Sequence, residues 1–443
     1  MKNIKERKQK VKDLRKAGMF EEALPLYRDL WKETGDNFDG AGLLQCLRKL
    51  ELFGEAITFA EELIVKHPEF DWCRNEVIWT LIYGVLYKLE ENEPVKKVIE
   101  EAKKIMDLNP RGLAAKIVVF KVLKSAKAYN DWEIINEWVI KIDPNFLSTE
   151  PMTDSSGRKG WCDQSLWYNY RINGLVKQGG KKEAEKAIHI VDEILGRFPK
   201  ERKFFLRLKA LANKRLGNLP ESEKIYENLC SGYKTDWWML HEYGSVVRDT
   251  GRKEDALKLM YQAASKHKRL EAMVSLFADI GMLCESMAKN EEARAHLVLC
   301  RYVREENDWS VPEKVLNGIN ELTKIIGNSN EPKSLKEALS ICRDYWQNLL
   351  GEKSVSISKA QDKRKIRKGL LGKVRLGKED SNFCFIVTKD DESFFCLKND
   401  LPPDIKDTDK VTFNAIPSFD KKKNKKSWKA RNIQFAPPPG GRG

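Results

Sequence analysis

The chain has 443 residues, 41% hydrophobic and 33% charged, with a formal net charge of +14. That is room for about three domains of roughly 150 residues with buried cores, and it excludes a small disulfide-stapled module. The charge is uneven: residues 352–443 hold 22 Lys and Arg against 12 Asp and Glu, so +10 of the +14 lies in the last fifth of the chain. A basic module that meets an anion, nucleic acid first, is the expectation.

The opening Met1-Lys-Asn-Ile-Lys-Glu-Arg-Lys lacks the apolar run of a secretory signal, and no stretch approaches the roughly 20 apolar residues of a membrane span. A cytoplasmic chain without a membrane partner is expected. Cys46, Cys73, Cys162, Cys230, Cys284, Cys300, Cys342, Cys384 and Cys396 are scattered singly, with no Cys-x-x-Cys pair, and read as reduced, packed thiols rather than metal ligands.

From the N-terminus onward one phrase recurs: a small residue, then another five positions later. Gly18 with Ala23, Gly179 with Ala184, Gly217 with Ser222, Gly251 with Ala256 and Ala288 with Ala293 follow it, and Ala56 keeps the second position behind Glu51. Each pair predicts a turn followed by a helix, with Tyr27, Tyr226, Met260 and Leu297 four residues further on the same helix face. Close approach of two helix backbones is the expected reason for the small residues. The preceding helices carry their own at Ala210, Gly244 and Gly281, while Pro68, Pro110 and Pro144 close several units.

With Gly217 and Gly251 34 residues apart, this pattern resembles the tetratricopeptide repeat family, whose unit is a helix-turn-helix of about 34 residues. The reading gives about eight units between residues 5 and 305 and capping helices near 311–326 and 333–350, so that 1–350 is one helical-repeat domain. In the unit ending at Pro144, Trp132 stands where alanine is usual. The resemblance implies a superhelix that binds a protein partner through the first helix of each pair. His241, Ser245 and Arg248, opposite Leu240, Tyr243 and Val247, are its candidate protein contacts, or else a solvated helix face. Residues 145–164 interrupt the pattern with a turn-rich segment that has room to reach into the groove, and Trp161, Trp167 and Tyr168 behind it are either a contact site or core.

Beyond Gly351 the helical period ends. Residues 351–368 read as a basic flexible linker, and 369–435 as five strands: Gly372–Leu376, Asn382–Thr388, Ser393–Leu397, Lys410–Ile416 and Ser427–Gln434. Five short strands at this spacing predict a small Greek-key barrel of the OB type, making the whole an α + β chain with an all-α repeat array before a β-barrel. Alternation in Phe383-Cys-Phe-Ile-Val places Phe383 and Phe385 on one face and Cys384 and Ile386 on the other, so a barrel that buries Ile386 displays two phenylalanines. Phe394 or Phe395 joins them, with Trp428 as a late addition. Rings beside cations suit single-stranded nucleic acid: bases stack for roughly 1–3 kcal/mol each and cations track phosphates.

Gly372-Lys-Val-Arg followed by Ser381-Asn-Phe-Cys-Phe-Ile, then Ser393-Phe-Phe-Cys, Thr408-Asp-Lys-Val-Thr-Phe and Ala430-Arg-Asn-Ile, resembles a divergent cold-shock domain. Leu376 and Gly377 replace that family's first aromatic pair, Asn382 and Cys384 its second-motif glycines, and Cys396 a base-contacting histidine. The resemblance implies binding of single-stranded RNA, or less readily DNA, by Phe383, Phe385, Phe394, Phe395 and Trp428, with Lys373, Arg375, Lys429 and Arg431 beside them. Lys421, Lys422 and Lys423 open a lysine run that is either a further phosphate contact or a solubilising turn. Alternatively, the aromatic face docks on protein. Residues 436–443 read as a disordered tail. No phosphate loop, zinc-protease, nucleophile-elbow or paired-cysteine motif is present, and no two of the five histidines share an i, i+4 spacing. The function expected is therefore a non-enzymatic adaptor with no cofactor and no small-molecule substrate, or a pure protein scaffold, or a regulatory subunit of a nuclease or helicase.

Overall fold

A computed structural model describes residues 2–90, 93–154, 156–232, 235–266, 269–327, 332–351, 367–377, 383–420 and 425–436. The chain divides into two compact units, Met1–Ala263 and Ala264–Gly443. The expected array of helix pairs followed by a five-stranded barrel is what forms.

In the first unit, helices pair along the chain: α1 (Lys2–Lys16) with α2 (Phe20–Thr34), α3 (Asn37–Lys49) with α4 (Phe53–Lys66), α5 (Asp71–Gly84) with α6 (Val95–Asp107), and α7 (Gly112–Ala128) with α8 (Trp132–Val139). A hairpin, β1 (Pro151–Thr153) and β2 (Lys159–Cys162), precedes α9 (Asp163–Gln178) and α10 (Lys181–Ile194). Then come α11 (Arg202–Leu216), α12 (Leu219–Cys230), α13 (Trp237–Asp249) and α14 (Lys253–Lys266).

The recurring phrase separates into two physical requirements. At Gly18, Glu51, Asn130, Gly217 and Ala288 the backbone takes a positive φ (80°, 56°, 57°, 81° and 56°). The next amide reaches back five residues in each case: Met19 to Leu14, Leu52 to Leu47, Asp131 to Ala126, Asn218 to Asn213 and Lys289 to Cys284, all within 2.9–3.0 Å. This left-handed cap satisfies a terminal helix carbonyl and turns the chain into the next helix. A Cβ on Gly18, Gly217 or Gly251 would meet nothing within 4 Å. Glycine stands there for its φ, and close approach is not the reason. Close packing belongs to the second position, where Ala23, Ala56, Ala184, Ser222, Ala256 and Ala293 are all fully buried. It also belongs to the residue twelve earlier on the preceding helix. A Cβ on Gly244 would stand 2.9 Å from Met260 Cγ, one on Gly281 would stand 2.6 Å from Leu297, and Ser222 Oγ donates to Ala210 O at 2.8 Å. In the fourth pair the same count from Asn130 falls on buried Ile135, so Trp132 does not occupy the alanine position.

The interruption at 145–164 is a 3-10 turn at Pro144–Phe146 and the β1–β2 hairpin. Trp161 packs on Phe204 and Phe205 of α11 (5.3 and 5.7 Å between centroids). Trp167 is buried with its Nε1 donating to Val139 O at 2.7 Å, and Tyr168 sits edge-on against it, so these two belong to packing.

The second unit opens with α15 (Val274–Glu285), α16 (Asn290–Glu305), α17 (Glu313–Ile326) and α18 (Leu335–Leu350), the last two packing on α16. His296 of α16 is fully buried between them. Trp346 Nε1, which only donates, gives its hydrogen to His296 Nε2 at 2.8 Å, so the ring proton sits on Nδ1 and reaches Glu292 O at 2.7 Å. The barrel follows: β3 (Arg367–Leu376), β4 (Phe383–Thr388), β5 (Ser393–Leu397), β6 (Lys410–Asp420) and β7 (Lys425–Phe435), closed in the order β3-β4-β5-β7-β6 with β5 and β7 parallel. β3 begins two residues before the expected domain start, Arg367 pairing with Ala415. A Cβ on Gly372 would stand 2.6 Å from Ile386 and 3.0 Å from Val387 O, so glycine lets β3 bend across β4. The core is Val374, Cys384, Ile386, Phe394, Cys396, Val411, Phe413, Ala415, Ala430 and Ile433. Among the described residues no helix is long and apolar enough to cross a membrane, and no cluster of three His, Cys, Asp or Glu is placed to hold a metal.

Two outcomes test this packing. Burial depresses the His296 pKa to about 4, while the unfolded chain takes up the proton near the ordinary imidazole value of 6.5. Stability from this group is therefore complete above pH 6.5 and is lost as pH falls toward 4, by about 3 kcal/mol. Chemical denaturation of wild type and His296→Gln across that window checks it: the variant's profile is expected to be flatter by this amount. Separately, Gly217→Ala, which strains φ without a clash, is expected to cost about 1–2 kcal/mol by the same measurement. Gly281→Ala is expected to destabilise through Leu297 instead, so a cycle with Leu297→Ala shows coupling that the Gly217 site lacks.

Candidate functional site

The barrel's outward side chains form rows across its strands. Val374, Cys384, Ile386, Phe394 and Cys396 point inward and are fully buried, which sends their neighbours out. Directly opposed positions give one row, Arg375 on β3, Phe385 on β4, Phe395 on β5 and Lys429 on β7. Two residues along β4, Phe383 faces Leu397. The three rings touch: Phe383 stacks on Phe395 at 6.0 Å and 28°, and Phe385 meets both edge-on at 5.9 and 6.1 Å. Phe383 is 41% exposed and Phe385 39%, unusual for rings with a barrel interior beside them. Lys429 Nζ lies 5.8 Å over the Phe395 ring. A cation thus stands at each end of a short aromatic shelf.

The register decides between the two adjacent phenylalanines. Phe394 is fully buried, edge-on to Phe413 at 5.0 Å, so it belongs to the core and not to the expected contact surface. Phe395 is the outward ring. Cys396 also points inward, its Sγ 3.1 Å from Cys384 Sγ. The outward position after Phe395 therefore falls to Leu397, where the resemblance had put Cys396. Trp428 is half-buried on the same strand face as Ala430, packed against the core with the Arg367 guanidinium 4.5 Å over its ring. It lies off the shelf. Arg431 pairs with Asp400 at 2.6 Å, which neutralises much of its charge; Lys429 is 3.8 Å from the same carboxylate. Lys373 and Arg375 are exposed. Lys421, Lys422 and Lys423 lie outside the described residues.

The shelf's surroundings contain positions that strand patterns alone do not reveal. Lys410 of β6 lies opposite Lys373, and Lys389 follows β4. The β3–β6 pairing brings Lys410 to this face, and the end of β4 brings Lys389.

On the helical array, the proposed protein contacts are part of a network. Ser245 Oγ receives Lys214 Nζ at 2.6 Å and Arg248 at 3.3 Å, Arg248 pairs with Asp249 at 2.9 Å, and His241 is half-buried. One turn earlier Glu242 takes Arg207 Nε at 2.6 Å and the Tyr226 hydroxyl at 3.0 Å, and burial followed by that carboxylate drives the tyrosine pKa well above its usual value. A cleft of about 530 Å³ opens beside it over α9, floored by Leu166, Asn169 and Asn173 and walled by Trp132, Trp161 and Phe204. Asn169 and Asn173, four apart on a helix otherwise rich in buried residues, are the signal in the sequence that would have pointed there.

No family model matches the chain, and no curated protein matches it. Solved structures with a similar course of helices include a tetratricopeptide repeat protein from Parabacteroides merdae, 14% identical over 73% of this chain and 100% of that one, with a TM-score of 0.32. The human IFIT1 dimer with PPP-AAAA is 14% identical over 81% and 84%, TM-score 0.37. The Cut9–Hcn1 hetero-tetramer of the APC/C is 12% identical over 79% and 84%, TM-score 0.27. These are likenesses of fold alone.

Phe394 and Phe385 differ in what their removal does. Phe394→Ala is expected to destabilise the barrel by about 3–5 kcal/mol, whereas Phe385→Ala costs less than about 1 kcal/mol. Thermal unfolding followed by circular dichroism distinguishes them.

Proposed function

We propose that this chain is an adaptor without catalysis of its own: the helical array holds a protein partner, and the barrel, acting as a cold-shock-like OB domain, binds single-stranded nucleic acid, RNA before DNA. The row Arg375–Phe385–Phe395–Lys429, with Phe383 stacked on Phe395, is the observation that carries the second half. Three rings whose faces and edges reach solvent offer stacking surfaces to unpaired bases, and a duplex hides those faces. The flanking cations suit the phosphates between stacked bases. Lys373, exposed on β3, extends the same charge. For the array, the cleft over α9 and the half-buried edge of α13 at His241, Ser245 and Arg248 offer amide, hydroxyl and cationic groups to a peptide. Joining the two modules raises the concentration of nucleic acid near whatever the array holds, which is the whole mechanism of an adaptor.

A second reading has its own support. Leu397, 38% exposed and directly opposite Phe383, continues the aromatic surface with aliphatic area that bases do not need, as expected where the shelf docks on a protein. Fluorescence anisotropy of the full chain with a labelled single-stranded oligouridine of about twelve nucleotides separates the readings. Wild type is expected to bind, and Phe383→Ala or Phe385→Ala each to weaken it by about 5- to 150-fold. Absence of binding at low salt, or wild-type affinity in both variants, rules for the protein-docking surface.

A further inference from the structure

A second feature of the barrel is costly to the fold and unexplained by it. Lys410 and Lys373 are register partners on antiparallel β6 and β3, and both are exposed, as their inward neighbours Val411 and Val374 require. Like charges directly opposite on adjacent strands destabilise a sheet. Here the repulsion is compounded: Arg375, two residues further along β3, and Lys389, at the end of β4, line the same shallow concavity of about 250 Å³. Asp391 is the one carboxylate on its wall. No carboxylate among the described residues is ion-paired with any of the four cations, whereas Arg367, Lys429 and Arg431 nearby all have acidic partners. The rest of the lining is Leu371, Gly372, Val387 and Thr388, which carry no charge. A cluster of uncompensated cations around a hollow is an arrangement that an anion relieves.

The cluster is continuous with the aromatic shelf. Arg375 belongs to both: it lines the hollow and stands directly opposite Phe385. Val387, in the hollow, is two residues from Phe385 on the same face of β4, a distance of about 7 Å along a strand. Resting on the reading of the shelf as a base-stacking surface, we infer that Lys373, Lys389 and Lys410, with Arg375, form a phosphodiester site that takes the backbone of the same strand as it leaves the rings. The ligand is thus a strand that crosses the sheet from β5 through β4 to the β3–β6 edge. Its bases stack on Phe395, Phe383 and Phe385, and its next phosphates lie in the hollow. Lys389 and Lys410 add contacts to this path that the aromatic positions alone would not supply.

Counterion release makes the site measurable. Each phosphate neutralised contributes about 0.7 to the slope of log affinity against log salt for a single strand. Oligouridine binding to the full chain, followed from about 0.05 to about 0.5 M salt, is expected to show a slope smaller by about 1.4 in Lys389→Gln/Lys410→Gln, with affinity about 25-fold weaker at 0.1 M salt when that slope is carried to 1 M. Phe383→Ala/Phe385→Ala is expected to weaken binding with the slope unchanged. Without ligand, the lysine double variant is expected to melt no lower than wild type, because it removes repulsion. Lys182→Gln/Lys186→Gln, exposed on α10, removes the same charge elsewhere and should leave the slope as it was. If the barrel variant keeps the wild-type slope and affinity while the phenylalanine variant weakens, the phosphate site is wrong and the shelf stands. Equal slope changes in the α10 and barrel variants also overturn the site. If wild type does not bind at low salt, shelf and site fall together.

Discussion

Successive side chains of a strand point to opposite faces, and with Cys384 and Ile386 sealed inside the barrel, Phe383 and Phe385 have only the outside to occupy. The same rule on β5 buries Phe394 and Cys396 and presents Phe395. A one-residue slip of either strand would bury its part of the shelf and turn its thiol to water. Every feature that suggests a ligand follows from this register: the contact among three rings, the cation at each end, and the hollow at the β3–β6 edge. The barrel is closed, so none of these strands has a free edge to be satisfied by another chain's backbone. What the face offers is side-chain chemistry.

The helical array rests on a different constraint, that two backbones meet closely at one level of each hairpin. Ala256 lies beneath Gly244, Ala293 beneath Gly281 and Ser222 beneath Ala210, always twelve residues on. The turn between them fixes that spacing through a left-handed residue, with an amide that reaches back five positions in the Ala210–Ser222 and Gly281–Ala293 hairpins. Because the turn geometry is set by hydrogen bonds to backbone, the side chain at the left-handed position is free to vary, at a cost. Glu51, Asn130 and Ala288 accept that cost where Gly18, Gly217 and Gly251 avoid it. The first helices then carry polar networks, such as Arg207–Glu242–Tyr226, that are held in place by the packing behind them.

Much of this was legible in the residues. The repeat period, the number of helix pairs, the five strands and the outward placement of Phe383 and Phe385 all follow from local patterns whose periods match the structures they form. Where legibility failed, the information was not local. Phe394 and Phe395 are the same residue type side by side, so composition holds no clue to which one faces inward; pairing with β4 decides it. Lys373 and Lys410 are 37 positions apart, and only the closure of the barrel makes them neighbours. The purpose of the turn glycines was misread because a small residue serves both close packing and positive φ. A sequence does not distinguish these uses, and a Cβ placed in the structure does. The hairpin at 151–162 escaped because its strands are three and four residues long, too short to show alternation.

In the proposed adaptor the two modules divide the work. Near-balanced charge along the array suits a surface that recognises protein, and the excess of cations is concentrated where rings also reach solvent. Neither property alone identifies a nucleic-acid surface: lysines keep proteins soluble, and exposed phenylalanines mark many kinds of interface. Their conjunction in one row across four strands, rings in the middle and a cation at each end, is what favours a strand of unpaired bases. The most direct test is photo-crosslinking of the full chain to a single-stranded oligonucleotide carrying 5-iodouridine, with the adducts mapped by mass spectrometry. Adducts on Phe383, Phe385 or Phe395 are the expected result; adducts confined to the helical array, or none at all under conditions of saturating oligonucleotide, would contradict the account.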